Sequence, residues 1–258
     1  MIDVSTFDPL PVEAIWAVFT LPAQEPYSES FDASGYSYLY AVENFGTGTL
    51  TIHLCIISAV VVLILTRINT SVSNHIIKHP KFIKFKNGLF FGGTLRFLFE
   101  GYLELTASVC IGLLTMNWSE TSSFSIMYCN FFTVLIGIAL IALPFYILVY
   151  YFRNIQTLDD EEFQERLGTL LDDLKLDSTE DEKPEDLLFK RKMSVLFPFF
   201  FVVRRLIFIG ISIGLAPWPY FQLMGAFYLT TGMVIYLLWF WPFADNFLTK
   251  IEVMNEVT

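Results

Sequence analysis

Apolar residues in this chain are gathered into five long blocks with polar stretches between them. Leu50 to Leu65 is the core of the first, extendable back to Thr47. Leu95 to Met116 forms the second and holds charges within it; Phe124 to Tyr151 forms the third. Val195 to Leu215 and Phe221 to Trp241 are the fourth and fifth, joined by the short Ala216-Pro217-Trp218-Pro219 turn. A bilayer core of about 30 Å needs roughly 20 apolar residues in a helix. Each block meets that length, so the pattern predicts an all-α, polytopic membrane bundle of about five transmembrane helices. Trp218 in the turn suits a membrane interface, and the two prolines suit a tight reversal.

The polar stretches alternate in basic content. Residues 1–66 contain no Lys or Arg, whereas Arg67, Lys78, Lys81, Lys84 and Lys86 follow the first block. The loop around Ser119 has none, and the 152–194 loop has Arg153, Arg166, Lys175, Lys183, Lys190, Arg191 and Lys192. Residues 216–220 have none, and Lys250 follows the fifth block. Cytoplasmic loops collect Lys and Arg, so the N-terminus is predicted outside and the C-terminus in the cytoplasm. Asn117-Trp118-Ser119 is a glycosylation sequon on an outer loop, so the same topology makes Asn117 a candidate glycan site. The organisation expected is an outer segment over 1–46, three spans over 47–153 and an acidic cytoplasmic loop over 154–193. Two more spans over 194–241 and a cytoplasmic tail over 242–258 complete it.

Composition agrees with membrane embedding. Hydrophobic types make up 54% of the 258 residues and charged types 16%, with 27 Phe; soluble domains carry about 25% charged residues. A net charge of −10 argues against nucleic acid as a partner. Cys55, Cys110 and Cys129 have no metal spacing and read as small side chains within apolar blocks. An outside N-terminus of this length calls for a signal peptide, yet residues 1–30 have no basic n-region, and their one apolar run, Ala14 to Leu21, is too short to span. The chain therefore reads as a piece of a longer protein, with its last segment cut short.

The connecting segments carry less chemistry. Residues 28–46 read as the foot of an outer domain packed on the first helix. Lys78, Lys81, Lys84 and Lys86 alternate with Phe and Ile, as in an interfacial segment with its ammoniums near anionic lipid headgroups. The 157–187 loop holds thirteen Asp and Glu but lacks the spacing of a calcium loop. Phe163, Leu167, Leu170, Leu171 and Leu174 fall at helical spacing within it, which predicts a short surface helix over 159–174. No cofactor motif, no nucleophile with its base and no metal cluster appears, so the chain is not expected to be an enzyme.

The charges inside the apolar blocks are the candidate functional residues. Arg96, Glu100 and Glu104 repeat every four residues, which puts them on one helical stripe. Arg204 and Arg205 lie in the fourth block. Ionisable groups at membrane depth are costly and face protein or water. Glu104 and Arg204 each lie about nine residues into their blocks, or roughly 13 Å from the inner face. This allows Glu104 or Glu100 to pair with Arg204 or Arg205, with Arg96 and Glu100 paired along their own helix. His53, near the outer end of the first block, reads as a hydrogen-bonded packing residue.

Five segments in order then resemble a known family: Glu43-Asn44-Phe45-Gly46-Thr47-Gly48, Arg96 to Leu105 (RFLFEGYLEL), Phe163 to Leu174 (FQERLGTLLDDL), Val203-Arg204-Arg205-Leu206-Ile207-Phe208, and Glu252-Val253-Met254-Asn255-Glu256. Together they cover about residues 31–258 and resemble the transmembrane region of the TRP-like membrane proteins of protists and fungi, relatives of polycystin-type channels. The resemblance implies a large outer domain before the first span, a four-helix bundle followed by the next helix, and cation conduction by a homo-oligomer through a pore built mainly from the last two helices. The chain is expected to be a fragment lacking that family's last pore helix; the alternatives are a non-conducting receptor or scaffold, or a transporter of small polar solutes. Plasma membrane and endomembranes both fit the multi-pass topology.

Overall fold

The computed structural model describes residues 21, 25–67, 79, 82, 85, 86, 88, 93–116, 118, 124–155, 174 and 184–257. Among them the named elements are all helices. They are α1 (Glu29–Ala33), α2 (Ala41–Asn44), α3 (Thr47–Arg67), α4 (Gly93–Glu100), α5 (Tyr102–Leu114), α6 (Phe124–Arg153), α7 (Pro184–Val195), α8 (Phe197–Gly214), α9 (Pro219–Phe240) and α10 (Asn246–Val257). Four of these, α3, α6, α8 and α9, are long and apolar enough to cross a membrane. The bent pair α4–α5 makes a fifth if counted as one span. The exposed faces agree with a lipid setting: Leu54, Ile57, Val61 and Ile64 of α3 and Phe131, Ile138 and Phe145 of α6 all point outward. In water such surfaces would be an aggregation hazard; in a bilayer they are the solvated side.

The second block is where the fold departs from a plain span. Its helix breaks at Gly101, and the two pieces meet at 66°. Glycine in mid-helix is less stable than alanine by roughly 1 kcal/mol, which makes Gly101 the natural place for the break. The third block forms one uninterrupted helix of 30 residues despite Pro144. At 1.5 Å per residue α6 is about 45 Å long, more than the bilayer core, so it must tilt or project.

The chain forms two compact units. Residues 1–83 and 104–140 make the first. There the stretch before α3 is tied down rather than trailing. Ser28 caps α1 by accepting from the Phe31 amide, as N-cap serines do. The Asn44 side chain brackets Tyr38, accepting from its amide at 3.0 Å and donating to its carbonyl at 2.6 Å. Buried Thr49 donates to the Val42 carbonyl at 2.9 Å, which closes α2 onto the start of α3. The segment packs on the first spanning helix, as its sequence suggests, and also on α5. A Cβ on Gly112 would lie 3.0 Å from Thr133 and 3.5 Å from the backbone of Leu39 and Ala41, so that glycine lets α5, α6 and the stretch before α3 approach closely.

His53 completes this unit. Its Nδ1 lies 2.6 Å from the Thr49 carbonyl, which can only accept, so Nδ1 donates. In the neutral ring Nε2 then accepts from the Tyr128 hydroxyl. The imidazole also stacks on Phe132 at 5.1 Å. This is hydrogen-bonded packing, the role its lone position predicts.

Residues 84–103 and 141–258 make the second unit. Pro198 and Pro219 sit in the first turns of α8 and α9, where a missing N–H costs nothing. The two helices form an antiparallel hairpin, held near its turn by Gln222, which donates to the Ser212 carbonyl at 2.6 Å. Trp241 ends α9 in the left-handed conformation, φ 45°. The chain then reverses, the Asp245 carboxylate accepts from the Phe247 amide at 2.8 Å, and α10 begins. Met233, Tyr236 and Leu237 of α9 are buried against Met193, Phe197, Phe200, Phe243 and Val253. Tyr236 donates to the Met193 carbonyl at 2.6 Å, which ties α7 into the same core. The segment after the fifth block is thus a docked helix rather than a free tail.

Candidate functional site

The second unit gathers most of the charges singled out in the sequence. Arg96 and Glu100 form the expected ion pair along α4, Nε to Oε1 at 2.9 Å. Their side chains are 74% and 70% exposed within the protein, so in water this pair would contribute little by itself.

Arg205 reaches the same turn of α4 from α8. Its guanidinium meets backbone carbonyls where carboxylates were expected: Nη1 donates to Phe99 at 2.8 Å and to Glu100 at 3.3 Å. These are the carbonyls left without a helical partner by the break at Gly101. The guanidinium also lies over the Phe201 ring, 4.0 Å from its centre, and Phe201 stacks on Phe99 at 6.2 Å. Flat, charged and donor-rich, an arginine can serve a ring face and two carbonyls at once.

Arg204 points elsewhere. Its partner is Glu256 of α10, and that carboxylate is nearly enclosed, 4% exposed, with the arginine at 23%. One turn earlier, the Glu252 carboxylate acts electrostatically on both Arg204 and Arg205. The expected partners for Arg204 were Glu104 and Glu100. Glu100 is engaged with Arg96, and Glu104 belongs to the first unit. There its charge adds to burial in pushing the Tyr36 phenol above the usual tyrosine range. Glu252 and Glu256 therefore complete the charge cluster, and sequence reasoning passed over them. The available signal was spacing: four residues apart on a helix, they share a face as Arg96 and Glu100 do.

A cavity of about 530 Å³ opens beside the cluster. Arg96, Glu100, Arg205 and Glu252 line it together with Phe99, Phe197, Pro198, Phe201, Phe243, Leu248, Ile251 and Leu174. Phe197 and Pro198 belong to the first turn of α8, and Phe243 lies just past the end of α9. The cavity is therefore level with one end of the α8–α9 hairpin. Leu174 is buried there and forms an isolated antiparallel bridge with Phe243, so the end of the stretch expected as a surface helix is not helical. The rest of that stretch, 159–173, lies outside the described residues, as do Asn117, Lys78, Lys81 and Lys84; Lys86 lies inside them. Among the described residues no three His, Cys, Asp or Glu side chains come together as metal ligands, and all three cysteines are free thiols.

Comparison with family models, curated proteins and solved structures finds no match to this chain. The apolar helices fit a multi-pass integral membrane protein in contact with a lipid bilayer.

Proposed function

We propose that this chain is the helical bundle of a TRP-like cation channel, in which the α8–α10 contact couples a charged span to the helix that follows the last long apolar one. The observation that carries the reading is the enclosed Arg204–Glu256 pair. Charges at the depth of a span are costly to bury, and a lone pair of this kind fixes one of two packings of its helices. The neighbouring Glu252 offers Arg204 an alternative carboxylate one turn away, so a small rotation of α10 could exchange partners. The segments resembling the TRP-like family include both ends of this contact, Val203 to Phe208 and Glu252 to Glu256.

A second reading, transport of small polar solutes, is supported by the cavity with Arg96, Glu100, Arg205 and Glu252 on its walls. A non-conducting receptor or scaffold of the same fold is the third. Ion flux through the full-length protein in liposomes separates them, with Glu256→Gln and Glu104→Gln beside it. Cation current altered by Glu256→Gln supports the channel. Solute uptake without macroscopic current supports the transporter. Silence from correctly oriented, folded protein removes both and leaves the charges as structural locks in a receptor or scaffold.

A further inference from the structure

The cavity at the end of the α8–α9 hairpin has a charge pattern that selects among ligands. Two guanidiniums, Arg96 and Arg205, face it with two carboxylates, Glu100 and Glu252. The rest of its wall is aromatic and aliphatic, with Phe197, Phe201 and Phe243 set edge-to-face or tilted against one another. Its volume, about 530 Å³, lies in the range of about 300–1,000 Å³ typical of small-ligand sites. A polyanion would meet both carboxylates, and a cation both guanidiniums. A ligand carrying one charge of each sign meets a partner for each.

Position identifies the source of such a ligand. Phe197 and Pro198 open α8, and Phe243 follows the end of α9, so the cavity opens at one end of both apolar helices and reaches about two turns along α8 to Arg205. At 1.5 Å per residue these helices are about 27 and 33 Å long, close to the thickness of the hydrocarbon core. Their ends therefore lie where headgroups lie, whichever way the protein faces. Arg205 Nη1 is committed to the Phe99 and Glu100 carbonyls, but a guanidinium has five donors. The others remain for a ligand phosphate.

We propose that this cavity binds the headgroup of a zwitterionic phospholipid, with its phosphodiester on Arg205 and Arg96 and its ammonium on Glu252 and Glu100. The site does not depend on whether the protein conducts, so silence in a flux assay leaves it standing.

The test is a titration of the delipidated full-length protein in detergent, read by thermal stability, with phosphatidylethanolamine, phosphatidylglycerol and soluble glycerophosphoethanolamine. The wild type is expected to favour phosphatidylethanolamine over phosphatidylglycerol by about tenfold, the worth of one well-placed charge contact. Glu252→Gln removes a partner of the ammonium and leaves the guanidiniums in excess, so the preference should shift toward phosphatidylglycerol. Glu100→Gln changes an exposed side chain that the fold does not need buried, and should shift it the same way. Equal stabilisation of the wild type by both lipids would overturn the proposal. So would a preference that neither variant moves. Displacement of the lipid by glycerophosphoethanolamine at equal concentration would show a soluble zwitterion site and overturn the lipid assignment.

Discussion

The Arg205 guanidinium lies 2.8 Å from the Phe99 backbone carbonyl, one residue from the Glu100 carbonyl that it also reaches. The α4–α5 helix breaks immediately after these two residues. A break leaves backbone carbonyls without the amides of the next helical turn, and each needs another donor. The arginine supplies what the missing turn would have supplied. A charge that looks like one half of an interhelical salt bridge is, in this fold, a cap for a broken span.

Arg205→Lys tests that role, because lysine keeps the charge and loses the planar fork and its stacking on Phe201. We expect a loss of about 1.5–3 kcal/mol of stability, the usual worth of hydrogen bonds to a charged group. Chemical unfolding in detergent would read it. A variant as stable as the wild type would mean that the two carbonyls are satisfied without the guanidinium.

For the Arg204–Glu256 contact, Arg204→Gln strands a carboxylate that is 4% exposed and should cost about 3 kcal/mol or more. Glu256→Gln should cost less, because Arg204 is 23% exposed and keeps the charge of Glu252 nearby. The exchanged pair, Arg204→Glu with Glu256→Arg, should recover part of that loss. The same exchange made between Arg204 and Glu104 should recover nothing, and recovery there would identify Glu104 as the operative partner.

Glycine positions give a packing test. Gly112 is expected to tolerate no branching: Gly112→Val should cost about 1–3 kcal/mol, since even a Cβ sits 3.0 Å from Thr133. Gly232 borders a cavity of about 310 Å³ between α8 and α9 and has nothing within 4 Å of its would-be Cβ. Gly232→Ala should therefore be neutral or slightly stabilising, through helix propensity. Similar effects at the two sites would show that the close approach in the first unit is not tight.

Burial holds the Glu43 carboxyl above its ordinary range. The folded state thus favours the protonated form, and stability is greatest below the unfolded carboxylate value of about 4.3. It declines as pH rises from that value through the raised folded one, and is level beyond it. Glu43→Gln should remove this decline and leave the variant at least as stable as the wild type at pH 7. Thermal denaturation from pH 4 to 7 would show it, and identical profiles for the two proteins would exclude Glu43 as the group responsible.

Much of the architecture was legible in the sequence because a bilayer imposes one dominant rule. Any spanning segment must satisfy its own backbone, so a run of about 20 apolar residues is already a helix. The five blocks predict the span-length helices to within a few residues, counting the bent α4–α5 pair as one, and Arg96–Glu100 follows from helical spacing alone; α7 and α10 lie outside them. Tertiary structure decided what spacing along one helix cannot encode. The break at Gly101 is a choice between a continuous helix and two carbonyls handed to Arg205, and it depends on a residue more than 100 positions away. Likewise Arg204 has several carboxylates within geometric reach when only depth is known, and the reversal at Trp241 that docks α10 selects Glu256. Periodicity is a local property and fixes which residues share a face; the partner of a buried charge is fixed by which faces pack together.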